Sequence, residues 1–131
     1  MNPLILAGSR VTDAAAVAEL VAVAETLGAR VLAESGTSHG RLPMPSDHAL
    51  YAGCLPLWSP EVHQQLQGHD VVLVAGMNLL RQYLYHEPPP IPAGTSLVHV
   101  DQNAWELGKN YPLAVGVWGH LQPSLGELAT A

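Results

Sequence analysis

Basic residues are scarce in this chain: five Lys and Arg stand against eleven Asp and Glu in 131 residues, a formal net charge of −6. A nucleic-acid binder needs a basic face to neutralise phosphates, and an anionic membrane surface needs the same, so the composition argues against both partners. Cysteine is rarer still. A lone Cys54 leaves no intrachain disulfide and no multi-thiolate metal site, and its apolar neighbours Gly53 and Leu55 suggest a buried, inert thiol. No apolar run approaches eighteen residues. The opening Met1-Asn2-Pro3-Leu4-Ile5-Leu6-Ala7-Gly8 lacks the basic flank and the length of a signal peptide, which leads us to expect a soluble, cytoplasmic protein.

Several catalytic signatures are also missing. Gly-x-Gly-x-x-Gly does not occur, Lys109 is the only lysine and follows no phosphate loop, and no Gly-x-Ser-x-Gly elbow exists. The seven histidines (His39, His48, His63, His69, His86, His99, His120) never fall at the His-x-x-x-His spacing of a helical zinc site, so no metal site is expected. His63 reads as part of a solvated helix face.

What is present is enough for a core: 48% hydrophobic residues and 12% charged, in a length that suits one domain over residues 1–131. Pro3 to Ala7 is a short apolar run ending at Gly8, placed like a buried strand. Thr12 or Asp13 can cap a following helix from Ala14 to Leu27, with Val17, Leu20, Val21, Ala24 and Leu27 on one stripe and Gly28 closing it. Arg30 to Ala33 is a second strand, parallel to the first. Residues 34–58 are punctuated by Gly, Pro, Ser and His and read as a long loop. Ser59-Pro60-Glu61 starts a short helix that Gly68 closes. Asp70 to Ala75 is apolar on both faces and therefore central, with Gly76 ending it. Prolines 88, 89, 90 and 92 keep residues 77–94 irregular. Ser96 to Val100, ending at Asp101, and Ala114 to Val117 are further strands. A short helix over Asn103 to Lys109 and a last one over Leu121 to Ala129 complete the pattern. Strands alternating with helices imply an α/β fold: a Rossmann-like parallel sheet of five or six strands with helices on both faces.

Ligands of such sheets sit at the carboxyl ends of the strands, which makes Gly8, Gly76, Asn78 and Asp101 the candidate nucleotide contacts. Each has a second reading. Gly8 suits a plain tight turn, Asn78 a turn after Gly76, and Asp101 either a ribose acceptor or the cap of the segment starting near Asn103. Tyr83 and Tyr85, beside Arg81, either pin an irregular loop or face a site assembled elsewhere.

A resemblance adds to this. Gln67 to Tyr85 resembles the middle domain of thiamine diphosphate-dependent enzymes, in particular the benzoylformate decarboxylases, and Arg81 to Thr95 matches their loop without a gap. Pro45, His48, Gly53 and Pro56 resemble the family's Phe-Pro-x-x-His-Pro-x-Phe-x-Gly pattern. Val98 to Pro112 resembles the strand–turn–helix of the wider acetolactate synthase group. The resemblance implies the central domain of a three-domain 2-oxo-acid decarboxylase that forms a homo-oligomer, dimer or tetramer. Thiamine diphosphate and Mg²⁺ would be held by the flanking pyrimidine- and diphosphate-binding domains, whose activating glutamate and Gly-Asp-Gly…Asn motif are not in these residues. It also implies that the segment alone neither binds that cofactor nor turns over substrate. In benzoylformate decarboxylases a histidine of the middle-domain loop enters the active site, and the matching position here is Tyr83. A phenol with a pKa of about 10 can donate a hydrogen bond but shuttles protons poorly at neutral pH. Some branches bind FAD or ADP in this domain. The glycine cluster of the FAD branch is replaced here by Gly8-Ser9-Arg10, and Gln102-Asn103 replaces the usual Ile-Asp. Two other functions stay open on the sequence alone: a stand-alone ADP- or FAD-type binding module, and a purely structural assembly domain.

Overall fold

A computed structural model describes residues 1–34, 41–79 and 86–131. Six parallel strands form one sheet: β1 (Pro3–Ala7), β2 (Arg30–Ala33), β3 (Tyr51–Cys54), β4 (Val71–Ala75), β5 (Ser96–Asp101) and β6 (Val115–Trp118), in the order β3-β2-β1-β4-β5-β6. The order reverses between β1 and β4, which is the switch point of a doubly wound sheet. Among the described residues four α-helices accompany the strands: α1 (Ser9–Asp13), α2 (Val17–Leu27), α3 (Ser59–Leu66) and α4 (Leu121–Thr130), and a 3-10 turn covers Ala104–Glu106. Alternation along β1 shows why the sheet is covered twice. Ile5 and Ala7 join Leu20, Val23 and Ala24 of α2 and Leu121 and Leu125 of α4 in one core cluster. Leu4 and Leu6 join Val62 and Leu66 of α3 in the other.

Four local expectations are corrected. The first helix does not run from Ala14 to Leu27 under a Thr12 or Asp13 cap. It is two helices, and Ala15 between them takes φ 55°. Thr12 and Asp13 are engaged elsewhere: the Thr12 hydroxyl donates to the Leu42 carbonyl, and the Asp13 carboxylate pairs with Arg41. Residues 34–58 are not loop throughout, because Tyr51–Cys54 pairs with β2 as an edge strand. Cys54 lies on that edge and is exposed, not buried. The segment after β5 shortens to the 3-10 turn, capped by the Asn103 side chain, which accepts from the Trp105 N–H at 3.2 Å. Gly28 does close α2, in the left-handed conformation (φ 63°).

α4 carries a glycine in mid-helix. A Cβ on Gly126 would meet only the Glu19 Cγ, at 3.6 Å, an ordinary contact. Gly126→Ala should therefore stabilise the domain by about 0.5–1 kcal/mol through reduced freedom of the unfolded chain. Urea denaturation would read this, and a loss of stability would mean that the two helices cannot accept a methyl group there.

Candidate functional site: the switch point of the sheet

The carboxyl ends of β1, β2, β4 and β5 bring Gly8, Glu34, Gly76 and Asp101 to one end of the molecule. The turns after β1 and β4 press together across the switch point. Gly8 donates its N–H to the Ala75 carbonyl at 3.0 Å, and Arg10 donates its N–H to the Gly76 carbonyl at 3.2 Å. A Cβ on Gly8 would lie 2.4 Å from the Met77 Cβ and 2.5 Å from the Gly76 carbonyl, so only hydrogen fits. Gly76 has φ 59° and stands against Val11 and Leu121.

Two side chains fill the space that remains. Glu34, at the end of β2, accepts the Ser9 N–H at 2.9 Å and the Ser9 hydroxyl at 3.2 Å through the same carboxylate oxygen. A carboxylate thus already takes the first N–H of this five-residue helix, and it would repel a diphosphate brought to the same place. Arg10 reaches the other way. Its Nε donates to Asp101 Oδ1 at 3.0 Å, its Nη2 to Oδ2 at 2.6 Å, and its Nη1 to Asn78 Oδ1 at 2.8 Å. This is a two-pronged guanidinium–carboxylate pair with an amide as third acceptor.

Asp101 is wholly buried. Burial by itself would raise its carboxyl, but the neighbouring His99 and Arg10 and the Asn103 N–H outweigh burial and hold it below the ordinary carboxylate range. Its Oδ1 accepts that N–H at 3.0 Å, so Asp101 does form the turn expected at Asn103. His99 Nε2 stands 3.3 Å from Oδ2, an electrostatic contact and not an aligned hydrogen bond. Arg10 loses hydration on burial, and the bonds to Asp101 more than compensate, which raises its affinity for the proton.

The structure therefore brings Gly8, Gly76, Asn78 and Asp101 together, and their polar groups are turned on Arg10 and on one another. Tyr83, with Arg81 and Tyr85, lies outside the described residues. A depression of about 440 Å³ beside the site is lined by Ala14, Gln102, His120, Leu121, Gln122 and Pro123, with no Lys or Arg to meet a phosphate. Among the described residues no group of three His, Cys, Asp or Glu could hold a metal ion. His63 is half-buried, not fully solvated, with its Nδ1 2.8 Å from the Pro89 carbonyl. Sequence reasoning missed Arg10 and Glu34. A strand-end acid after β2 and an arginine two residues past the first turn were the available signals, and neither names its partner.

Comparison with known proteins follows the fold closely. The chain is 35% identical over 108 residues to benzoylformate decarboxylase of Pseudomonas aeruginosa, a match covering 82% of this chain and 20% of that protein. Among solved structures, the thiamine diphosphate-dependent 4-hydroxybenzoylformate decarboxylase of Rhodococcus jostii RHA1 superposes with a TM-score of 0.89 at 30% identity. The benzoylformate decarboxylase of Polynucleobacter necessarius does so with 0.89 at 29%. Both superpositions cover 99% of this chain and 24% of the other, so the chain spans about a quarter of these relatives. The family described as thiamine pyrophosphate enzyme, central domain, matches residues 1–128. A doubly wound sheet of this order, matched almost from end to end, belongs to the central-domain family of thiamine pyrophosphate enzymes.

Proposed function

We propose that the chain works as the middle domain of a longer thiamine diphosphate-dependent polypeptide that decarboxylates a small 2-oxo acid. The observation that carries this reading is the end-to-end likeness to one quarter of decarboxylases whose other three quarters have no counterpart here. Thiamine diphosphate does not fit this chain's own switch point, where Glu34 faces the place of a phosphate and Arg10 is already held by Asp101 and Asn78. The cofactor and its Mg²⁺ belong, on this reading, to flanking pyrimidine- and diphosphate-binding domains. The same closed switch point argues against an ADP- or FAD-type role for Gly8, Gly76, Asn78 and Asp101. These residues instead lock β1, β4 and β5 into a rigid unit that braces the subunit of a cytoplasmic homo-oligomer. On the family resemblance, Tyr83, five positions after Asn78 in the sequence, lends its phenol to the substrate.

The test is the coding DNA on either side of this segment. Open frames carrying a pyrimidine-activating glutamate upstream and Gly-Asp-Gly…Asn downstream are expected, and stop codons on both sides would overturn the reading. In the enzyme so defined, Tyr83→Phe should lower kcat about tenfold, the worth of one hydrogen bond of ~1.4 kcal/mol. Unchanged kinetics in a decarboxylation assay would remove Tyr83 from the site.

A further inference from the structure

Residues 79 and 91 belong to one apolar cluster. Leu79 is buried in it together with Val62 and Leu66 of α3, and Ile91 packs against it. The chain between them, which carries Tyr83, therefore leaves and returns at a common base. Residues 80–85 lie outside the described part, but the leg that returns from them, His86 to Pro90, is described.

That leg has little of its own to hold it. Pro88, Pro89 and Pro90 have no N–H to donate, so their carbonyls are the only backbone groups by which this stretch can be fixed. α3 supplies the donor. His63 Nδ1 stands 2.8 Å from the Pro89 carbonyl. A carbonyl only accepts, so the ring proton sits on Nδ1 and the tautomer is set. At the start of the same helix is Trp58, whose carbonyl accepts the Glu61 and Val62 N–H groups. Its ring faces that of His86, with centroids 5.6 Å apart and planes at 59°. The two contacts have similar spacings. Five residues of helix rise about 7.5 Å, and three residues of extended proline-rich chain span about 9 Å. The leg thus lies along α3 and is held at two points. The outgoing side is held separately: Asn110 Nδ2 donates to the Leu79 carbonyl at 3.4 Å, and Arg10 holds Asn78.

We propose that His63 is a positioning residue: through the Pro89 carbonyl it sets where the segment carrying Tyr83 stands, without touching substrate itself. This rests on the role given to Tyr83 above. A hydrogen-bond donor displaced by about 1 Å loses much of its contact with a transition state, which is how a residue outside the site lowers turnover.

The test is made in the longer enzyme defined above. His63→Leu removes the donor and should lower kcat about fivefold, the worth of one hydrogen bond, with KM within about twofold and an unchanged circular dichroism spectrum. His63→Asn, whose Nδ2 takes the place of Nδ1, should recover most of the loss. His63→Gln reaches the place of Nε2 instead and should not. Added to Tyr83→Phe, His63→Leu should cost nothing further, because both act on one contact. In this chain alone, nitrogen NMR at about pH 9, where an imidazole is neutral, should find the His63 proton on Nδ1. An unchanged kcat in His63→Leu beside a lowered one in Tyr83→Phe would overturn the inference and leave the role of Tyr83 standing. Losses that add, a His63→Asn that recovers nothing, or a ring proton on Nε2 would overturn it as well. A silent Tyr83→Phe would strike the role of Tyr83 first, and this inference with it.

Discussion

Gly8→Ala is expected to destabilise the domain by at least about 3 kcal/mol, at or beyond the top of the ~1–3 kcal/mol usual for an added methylene in a packed site. The cause is contact and not backbone conformation. Gly8 has φ −115° and ψ −179°, which any residue adopts. The new methyl group would stand 2.4 Å from the Met77 Cβ, 2.5 Å from the Gly76 carbonyl and 2.8 Å from a Glu34 carboxylate oxygen. The carboxylate could swing away, but a carbonyl and a Cβ move only with the backbone, so the β1 and β4 turns would have to part at the middle of the sheet. Gly28→Ala is the useful contrast. It has nothing within 4 Å but sits at φ 63°, so its cost is conformational, about 1–2 kcal/mol. Guanidinium denaturation of both variants would check the ranking, and a Gly8→Ala loss under 1 kcal/mol would show that the two turns do not press together.

The second large effect is at Arg10. Arg10→Met leaves the Asp101 carboxylate buried without its main partner, a change expected to cost ~3 kcal/mol at neutral pH, the low end of the range for broken buried pairs. The low end applies because the Arg10 side chain keeps 23% of its exposure and solvent screens part of the attraction. The pH dependence has a definite sign. In the parent chain the Asp101 carboxyl lies below its ordinary value, so its contribution is present above about pH 3.9 and fades as pH falls through the depressed folded value. Without the guanidinium, burial is opposed only by His99 and the Asn103 N–H, and the carboxyl moves up from its value in the parent chain. The deficit against the parent then grows as pH rises from the parent's depressed value through the variant's, and should be smaller at pH 4 than at pH 7. Adding Asp101→Asn, which keeps an acceptor for the Asn103 N–H, should restore at least half of the loss. Denaturation curves at the two pH values measure this, and a deficit independent of pH would place the effect outside the pair.

Much of the architecture could be read from short-range pattern, and the site could not. β1 and β4 are continuous apolar runs stopped by glycine, and the helix starting at Ser59-Pro60-Glu61 carries its own start signal. β3 escaped notice because Tyr-Ala-Gly-Cys at a bulged edge has no alternation to detect. The break between α1 and α2 escaped because Ala14, Ala15 and Ala16 suit a helix as well as a bend. What makes that bend is remote: Thr12 and Asp13 are held by Leu42 and Arg41. The brace is more distant still, since Arg10 and Asp101 stand 91 positions apart. No local spacing links them. The strand ends named Gly8, Gly76, Asn78 and Asp101 correctly as neighbours, but not the arginine that occupies them.

The place of β1 in the sheet has a consequence for the order of events during synthesis. The central strand is made before the other five of this sheet, yet its partners come later: Leu4 pairs with Arg30, and Pro3 with Val71. Until residues 71–75 are made, one whole edge of Pro-Leu-Ile-Leu-Ala has no native neighbour. Its apolar side chains cannot yet be covered on both faces. The contacts that complete the domain are thus among the most distant in sequence, which slows folding and leaves this strand sticky for longest. The strand that ends up deepest in the protein is the one that must wait longest to be buried.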